Sequence, residues 1–186
     1  VVVILSLWSS CCCSQGMLED YGEYRKKTAF YDDFSTNQHN WPVSTGQYGR
    51  LVVGPDAFVI DHQTTEGSFI SLRNFPLSQA ADFVIETEVK KISGVNNYGF
   101  GIAWGASDAN FNDYYQLVIT GDGHYLVSKW QNGKNNVFIQ WTKSAYLHRE
   151  NGSVSRLALV KKGNVVRFYI NDNYVNQIDA GQFLGN

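Results

Sequence analysis

The sequence predicts an all-β protein, a single sandwich of two antiparallel sheets in jelly-roll order. Strand-sized segments rich in Val, Ile, Phe, Tyr, Trp and Thr follow one another from about residue 29 to residue 179, and these residue types suit a pleated, half-buried surface. Short runs of Gly, Asn and Asp separate the segments, as tight hairpins require. No segment shows the period of an amphipathic helix, so helices are not expected.

Each strand is expected where such a segment lies between turn residues. The strands are predicted at residues 29–34, 48–53, 57–61, 68–73, 82–92, 98–104, 113–120, 124–130, 137–142, 154–161, 165–170 and 174–178. The segment from Phe83 to Lys90 alternates between an apolar face and a largely charged one, which is typical of a strand with one side in the core and one in water. In residues 156–160 and 167–170 apolar residues predominate on both faces, which predicts central strands.

Composition limits the classes of function. The chain has 186 residues, enough for one β-domain with a sizeable core. Its formal net charge of −2 gives no field that would attract nucleic acid or an anionic membrane surface. Aromatic residues make up 15% of the chain. A sandwich cannot bury all of them, so some Tyr and Trp side chains are expected to line a surface or groove.

The N-terminal residues predict a location outside the bacterial cytoplasm. A largely apolar run over residues 1–8 leads through two serines to Cys11, and the domain that follows has no cysteine. Residues 1–16 are therefore interpreted as the remnant of a signal peptide with a lipobox, in which Cys11 is lipidated, or Cys12 or Cys13 in its place. The run is too short to span a membrane. Cleaved secretion and an incidental apolar terminus are the alternatives.

The remaining chain is divided into a tether and one domain. Residues 17–28 carry mixed charge without a period, and the domain is expected over residues 29–186. The chain begins with Val, and it ends at residues 183–186 where a further strand is expected. We therefore expect a chain that lacks at least one C-terminal strand.

Several motifs resemble one family of β-sandwiches. They are residues 32–35 (DDFS) with Asn40-Trp41, 98–104 (YGFGIAW), 112–119 (NDYYQLVI), 123–125 (GHY), 161–164 (KKGN) and 168–171 (FYIN). Over about residues 29–186 the chain resembles the concanavalin A-like, or laminin-G-like, jelly-roll domains of bacterial secreted proteins and lipoproteins. That family includes sugar-binding domains, glucanases and a domain associated with 3-keto-disaccharide hydrolysis. The resemblance implies two packed sheets with one concave face that often holds a glycan. Because the motifs mark strands and hairpins, they do not decide the function.

Glu86 and Glu88 are the candidate catalytic pair. Two residues apart on one strand, they share a face with Cα atoms roughly 6.5–7 Å apart, within the separation that glycoside hydrolysis uses. The glucanases that the chain resembles carry Glu-x-Asp-x-Glu on one strand, whereas here the third acid is Lys90. The glucanase site therefore does not carry over. The other interpretation is a solvated strand face with a Glu–Lys pair.

No cofactor is predicted, although a bound calcium ion is left open. Asp108, Asn110 and Asn112 have the alternate spacing of a calcium loop, but the glycine and glutamate that complete a helix-loop-helix site are absent. A shallower calcium site at Asp32 or Asp33 is the alternative to a plain polar loop. The four histidines show no metal spacing, and no phosphate loop or nucleophile elbow is present.

The candidate ligand-binding residues are Tyr114, Gln116, Trp104 and Trp130. Sugar rings stack on aromatic side chains, and their hydroxyl groups need polar partners close by. Alternation puts Tyr114 and Gln116 on one face of their strand, while Tyr115, Leu117 and Ile119 fill the core. Trp104 and Trp130 are expected nearby from neighbouring strands. Trp141 is a further aromatic candidate, and for each Trp the alternative is plain core filling.

Together these observations predict a non-catalytic binding module of the cell envelope. Its expected partner is a glycan or a cell-surface polysaccharide, and it would reach the membrane only through a lipid anchor. The alternatives are a glycoside hydrolase-like enzyme, of the glucanase or 3-keto-disaccharide hydrolase type, and a purely structural accessory domain.

Overall fold

The structure, a computed structural model, describes residues 28–65, 67–73, 81–106 and 113–179, together with the backbone of residues 2–6. This part of the chain contains twelve strands and no helix. The strands are β1 (Val2–Ser6), β2 (Ser44–Gly46), β3 (Gly49–Val53), β4 (Phe58–His62), β5 (Phe83–Ser93), β6 (Gly99–Trp104), β7 (Asp113–Thr120), β8 (His124–Gln131), β9 (Lys134–Lys143), β10 (Val154–Lys162), β11 (Val165–Ile170) and β12 (Asn173–Asp179).

The strands form two antiparallel sheets, which confirms the predicted sandwich. The larger sheet has the order β12-β11-β10-β5-β1-β4-β3-β2, and the smaller has the order β6-β7-β8-β9. The chain crosses to the smaller sheet after β5 and returns after β9. Because β1 pairs with β4 on one side and with β5 on the other, it is the strand that joins the two halves of the larger sheet within the described residues.

The main core lies between the sheets. The smaller sheet contributes Leu117, Ile119 and Val127, and the larger sheet contributes Leu159 and Phe168, all at most 1% exposed. Burial of one such side chain stabilises the fold by about 1.5–3 kcal/mol. Alternate residues of the same strands must then lie on the outer faces of the sheets.

A second cluster closes the β2–β4 end of the larger sheet around a buried carboxylate. Phe34 and Phe58 pack there with rings 5.9 Å apart. Asp32 is fully buried, and its carboxylate accepts the backbone N–H of Phe34 at 2.8 Å and the indole N–H of Trp41 at 2.7 Å. These bonds hold Phe34 at a φ of 57°, a conformation that non-glycine residues seldom adopt.

The loops at one end of the sandwich are tied together by a buried lysine. Lys91 is 4% exposed, and its ammonium donates to the carbonyl of Gly94 and to the side-chain oxygens of Asn96 and Asn151, at 2.7–2.9 Å. Asn96 in turn accepts a bond from the backbone N–H of Asp122. Lys91 therefore fixes the turn between β7 and β8, which borders the candidate site.

The structure contains the predicted strands from residues 48–53 onwards, with one exception and small shifts at the ends. Residues 68–73 form no strand. The strand predicted at residues 29–34 is also wrong, because Asp32 and Asp33 bond the backbone N–H two residues ahead of each and turn the chain. The sequence did not predict β2.

The predictions for the N-terminal segment, the tether and the C-terminus concern residues that the structure hardly describes. β1 lies within residues 1–16, the predicted signal-peptide remnant. The targeting role of these residues stays a prediction. Cys11, Cys12 and Cys13, residues 17–27 of the tether and residues 180–186 lie outside the described residues. Within the described part, no helix is long and apolar enough to cross a membrane.

Candidate ligand-binding face

The outer face of the smaller sheet, here called the β6–β9 face, carries most of the predicted binding residues. Tyr115 and Leu117 of β7 are 3% and 0% exposed and belong to the core. The alternate residues Tyr114, Gln116 and Val118 therefore lie on the opposite side of the strand, as the sequence predicts.

Strand pairing brings two of the predicted residues side by side. Tyr114 lies opposite Trp130, and Gln116 lies opposite Ser128. The side-chain amide of Gln116 donates to the hydroxyl of Ser128 at 2.8 Å. Tyr114 itself is only 6% exposed, and this burial raises the pKa of its hydroxyl above its ordinary value.

Small residues on β6 form one side of this face. Gly99, Gly101 and Ala103 alternate with Phe100 and Ile102, which pack against the core. A Cβ on Gly101 would collide with the carbonyl oxygen of Leu117, and one on Gly99 would collide with the Val118 side chain. Glycine at these positions thus allows close approach of β6 and β7.

Trp141 of β9 extends across the face. Its Cη2 atom lies 3.7 Å from the Cβ position of Gly99 on β6, although β7 and β8 lie between these strands. In a flat sheet β6 and β9 would be about 14 Å apart. Because an indole side chain is shorter than that span, the sheet must curve towards the ring, so this face is concave. Trp141 is nevertheless 48% exposed.

A polar group borders the face beside the β7–β8 turn. The hydroxyl of Thr120 donates to Asp122, and Nδ1 of His124 lies 3.0 Å from the same carboxylate oxygen. The bond from Thr120, and secondarily that from His124, lowers the pKa of Asp122 below its ordinary value. An ionised carboxylate and an imidazole therefore stand at this end of the face.

The structure corrects the predicted position of Trp104. This residue is 7% exposed, lies opposite Tyr115 and stacks on its ring with centroids 6.0 Å apart. It also contacts Phe168 of the larger sheet. Because Trp104 has the same parity as Ile102, it fills the core and does not lie beside Tyr114.

Lys129 and Asp113, two polar residues of the same strand pair, also lie away from the β6–β9 face. Lys129 shares the parity of the core residues of β8, and its ammonium lies 3.2 Å from the carboxylate of Asp113. The ammonium also lies 5.1 Å from the centre of the Tyr115 ring. This ion pair caps the end of the core between the sheets and is not part of the β6–β9 face.

Glu86 and Glu88 lie on the outer face of the larger sheet. Glu86 is opposite Ala158 and Glu88 is opposite Arg156, and both glutamates are half-buried. Arg156 forms an ion pair with Asp172. The two carboxylates share a face, as predicted, and their catalytic role stays a prediction.

The described residues contain no group of three or more His, Cys, Asp or Glu side chains that could hold a metal ion. Both carboxylate oxygens of Asp32 accept bonds from the protein, so this residue has a structural role. Asp33 is half-buried, and the bond from the backbone N–H of Ser35 lowers the pKa of its carboxyl. Residues 107–112, which include the predicted loop of Asp108, lie outside the described residues.

The fold and the face together define a β-sandwich with an aromatic, concave outer surface on its smaller sheet. In comparisons with known protein families, curated proteins and solved structures, the chain has no significant match.

Proposed function

We propose that the chain is a non-catalytic, carbohydrate-binding module of the bacterial cell envelope, related to the concanavalin A-like sandwiches that its motifs resemble. The observation that carries the proposal is Trp141, whose ring lies across a concave sheet face with 48% of the residue exposed. An indole with one side on the protein and one side in solvent is a platform for the apolar C–H face of a sugar ring.

The polar groups of the β6–β9 face suit the hydroxyl groups of the same ligand. Gln116, which is half-buried, offers an amide in the middle of the face, and Asp122 and His124 offer charged or ring-nitrogen partners at its end. A ligand site of this kind combines an apolar surface with a few convergent polar groups. A neutral oligosaccharide matches that combination better than an anion or an apolar ligand.

The length of the face favours an oligosaccharide over a single sugar. Val118, which lies beneath the Trp141 end, and Tyr114, which pairs with Trp130 at the other end, are four residues apart on β7. This separation corresponds to about 13 Å along a strand. Tyr114 is buried, so the half-buried Trp130 and the exposed Trp141 are the aromatic groups at the two ends of a stretch that is longer than one sugar ring.

The proposed location follows from the residues before the domain. Cys11 after an apolar run and two serines would anchor the protein by a lipid in the envelope, where polysaccharides are available. The net charge of −2 offers no attraction for nucleic acid. The membrane would then be a partner only through the anchor.

A glycan array probed with the full chain, with and without calcium, tests the proposal. A bound oligosaccharide is then titrated by calorimetry against two single variants. Trp141→Ala should weaken binding at least about tenfold, because central aromatic residues dominate binding energies. Tyr174→Ala removes an aromatic residue of similar exposure, 50%, from the other sheet and should leave the affinity unchanged.

Two results would contradict the proposal. If no glycan on the array binds with or without calcium, the purely structural interpretation is favoured. If Trp141→Ala and Tyr174→Ala have the same affinity as the parent chain, a glycan binds elsewhere.

A further inference from the structure

β1 occupies a position between two strands that do not otherwise meet. Val3 lies opposite Ile60 of β4 and Lys91 of β5, and Ile4 lies opposite Val59 and Lys90. Along the described chain, no other strand pairs with these edges of β4 and β5. The segment Val2–Ser6 is therefore an internal strand of the larger sheet.

The gap that β1 fills has the properties of a strand-binding site. Without β1, two rows of backbone N–H and C=O groups would face each other across the width of one strand, about 9.6 Å from β4 to β5. Phe58 and Val89, each 1% exposed, flank the position of Leu5. A segment in this gap must therefore be extended, must bond on both edges and must be apolar towards the core.

The proposed processing would remove the strand that fills the gap. Cleavage before Cys11 separates residues 1–10 from the domain, and these residues include all of β1. A sheet with two facing unpaired edges has a strong tendency to bind another strand. A chain that has lost residues 1–10 by cleavage cannot keep β1 in its sheet as part of the same polypeptide.

We propose that the gap between β4 and β5 is a strand-acceptor site. Val2–Ser6 fills it in the intact chain. After cleavage before Cys11, the site binds an extended, uncharged segment rich in β-branched residues from another protein, antiparallel to both edges, by β-strand addition. The second half of this proposal rests on the proposed lipoprotein processing, and the first half does not.

The first test uses the intact chain. Ile4→Pro removes a backbone donor from the middle of an internal strand, where proline is not tolerated, and should lower the melting temperature by roughly 10 °C. Ser10→Pro, four residues beyond the end of β1, is the matched control and should leave it unchanged. Equal melting temperatures for the two variants would overturn the assignment of β1.

The second test reproduces processing on the folded protein. Residues 11–16 are replaced by a site for a sequence-specific protease, and the chain is cut after folding. We expect the N-terminal fragment to remain bound on size exclusion. A fluorescent peptide with the sequence VVVILSLWSS should displace it, and the same peptide with proline at its fourth position should not.

The outcomes of the second test separate the two halves of the proposal. Release of the fragment without a change in melting temperature would overturn the acceptor site. Retention without exchange would overturn binding in trans. Glycan affinity is measured on the same cut sample. Because the β6–β9 face belongs to the other sheet, loss of the strand site and loss of the proposed glycan site are distinguishable.

Discussion

The outer faces of the two sheets are built on the same alternation but differ in chemistry. On the smaller sheet, Gly99, Gly101 and Ala103 line β6, and the pair Gln116–Ser128 is uncharged. On the larger sheet the corresponding positions carry charged residues from three neighbouring strands. These are Glu86, Glu88, Lys90, Arg156 and Arg167.

The two faces also differ in how their apolar residues are used. On the larger sheet, Ala158, Val160 and Tyr169 form a separate buried cluster at 1–3% exposure. On the smaller sheet, Tyr114 and Leu126 are also buried, at 6% and 5% exposure, but Trp141 remains 48% exposed although it lies across neighbouring strands. The alternation of residues along a strand therefore predicts which residues share a face. Whether that face can bind a ligand depends on the sizes of the residues on the neighbouring strands.

The largest effect is expected from adding a side chain where β6 approaches β7 closely. In Gly101→Ala the new Cβ would meet the carbonyl oxygen of Leu117, which is backbone and cannot move aside cheaply. The variant should lose about 2–3 kcal/mol of stability through overpacking. Chemical denaturation of the parent and variant chains measures this difference.

The control for this variant is a glycine with free space around it. Gly46 has no atom within 4 Å of its Cβ position, so Gly46→Ala should change the stability by less than about 1 kcal/mol. If Gly101→Ala is as stable as Gly46→Ala, the close approach of β6 to β7 is not required by the fold.

A smaller effect is expected from changing the polar centre of the same face. Gln116→Leu keeps a side chain of similar size but removes the amide that bonds Ser128. Loss of one hydrogen-bonding group should weaken glycan binding by about 1 kcal/mol, roughly fivefold. The matched change on the other sheet is Gln177→Leu, which should leave binding unchanged. Calorimetry with the glycan identified on the array compares the affinities of the two variants. Equal losses of affinity would contradict the assignment of binding to the β6–β9 face.

The sequence predicted the faces well where strands are regular. β7 was predicted with its bounds, Asp113–Thr120, because turn residues limit it on both sides and Tyr, Val and Ile alternate within it. The parity of Tyr114 and Tyr115 followed from the same pattern. The position of Trp104 was predicted wrongly. Its strand was predicted, but the sequence pattern did not determine which face of that strand enters the core.

Other features depended on interactions that a linear pattern does not contain. The position of Trp141 depends on two register shifts between β8 and β9, which break the period of two. The turn at residues 32–35 depends on Asp32 bonding both Phe34 and Trp41. The pairing of β1 brings together segments more than fifty residues apart, and a short apolar run is equally typical of a leader.

Acid should affect the charged edge of the β6–β9 face only slightly. The pKa of Asp122 is lowered in the folded state, first by Thr120 and then by His124. Its contribution to stability is therefore present above the unfolded pKa of about 3.9 and is lost as the pH falls through the lower folded value. Melting temperatures of the parent and Asp122→Asn should differ at pH 6 and converge as the pH falls through the folded pKa of Asp122.

The hydroxyl of Thr120 is the group to remove in a control. NMR titration of the Asp122 carboxyl should show a pKa closer to its ordinary value in Thr120→Val, because the largest cause of the shift is then absent. An unchanged pKa would mean that the Thr120 hydroxyl is not the main cause of the shift.

The smallest effect, no change at all, is expected from the carboxylates of the other face. In the double variant Glu86→Gln, Glu88→Gln, the side chains keep their size, and Arg156 retains its ion pair with Asp172. Glycan affinity should equal that of the parent, because both residues lie on the sheet that does not carry Trp141.

No hydrolysis of the bound glycan is expected from either chain. Release of reducing sugar by the parent that stops in the double variant would favour the glycosidase alternative, since a carboxylate pair on one strand face has the separation which that reaction uses. The comparison of the two faces would then be reversed, with binding chemistry on the charged face and a structural role for Trp141.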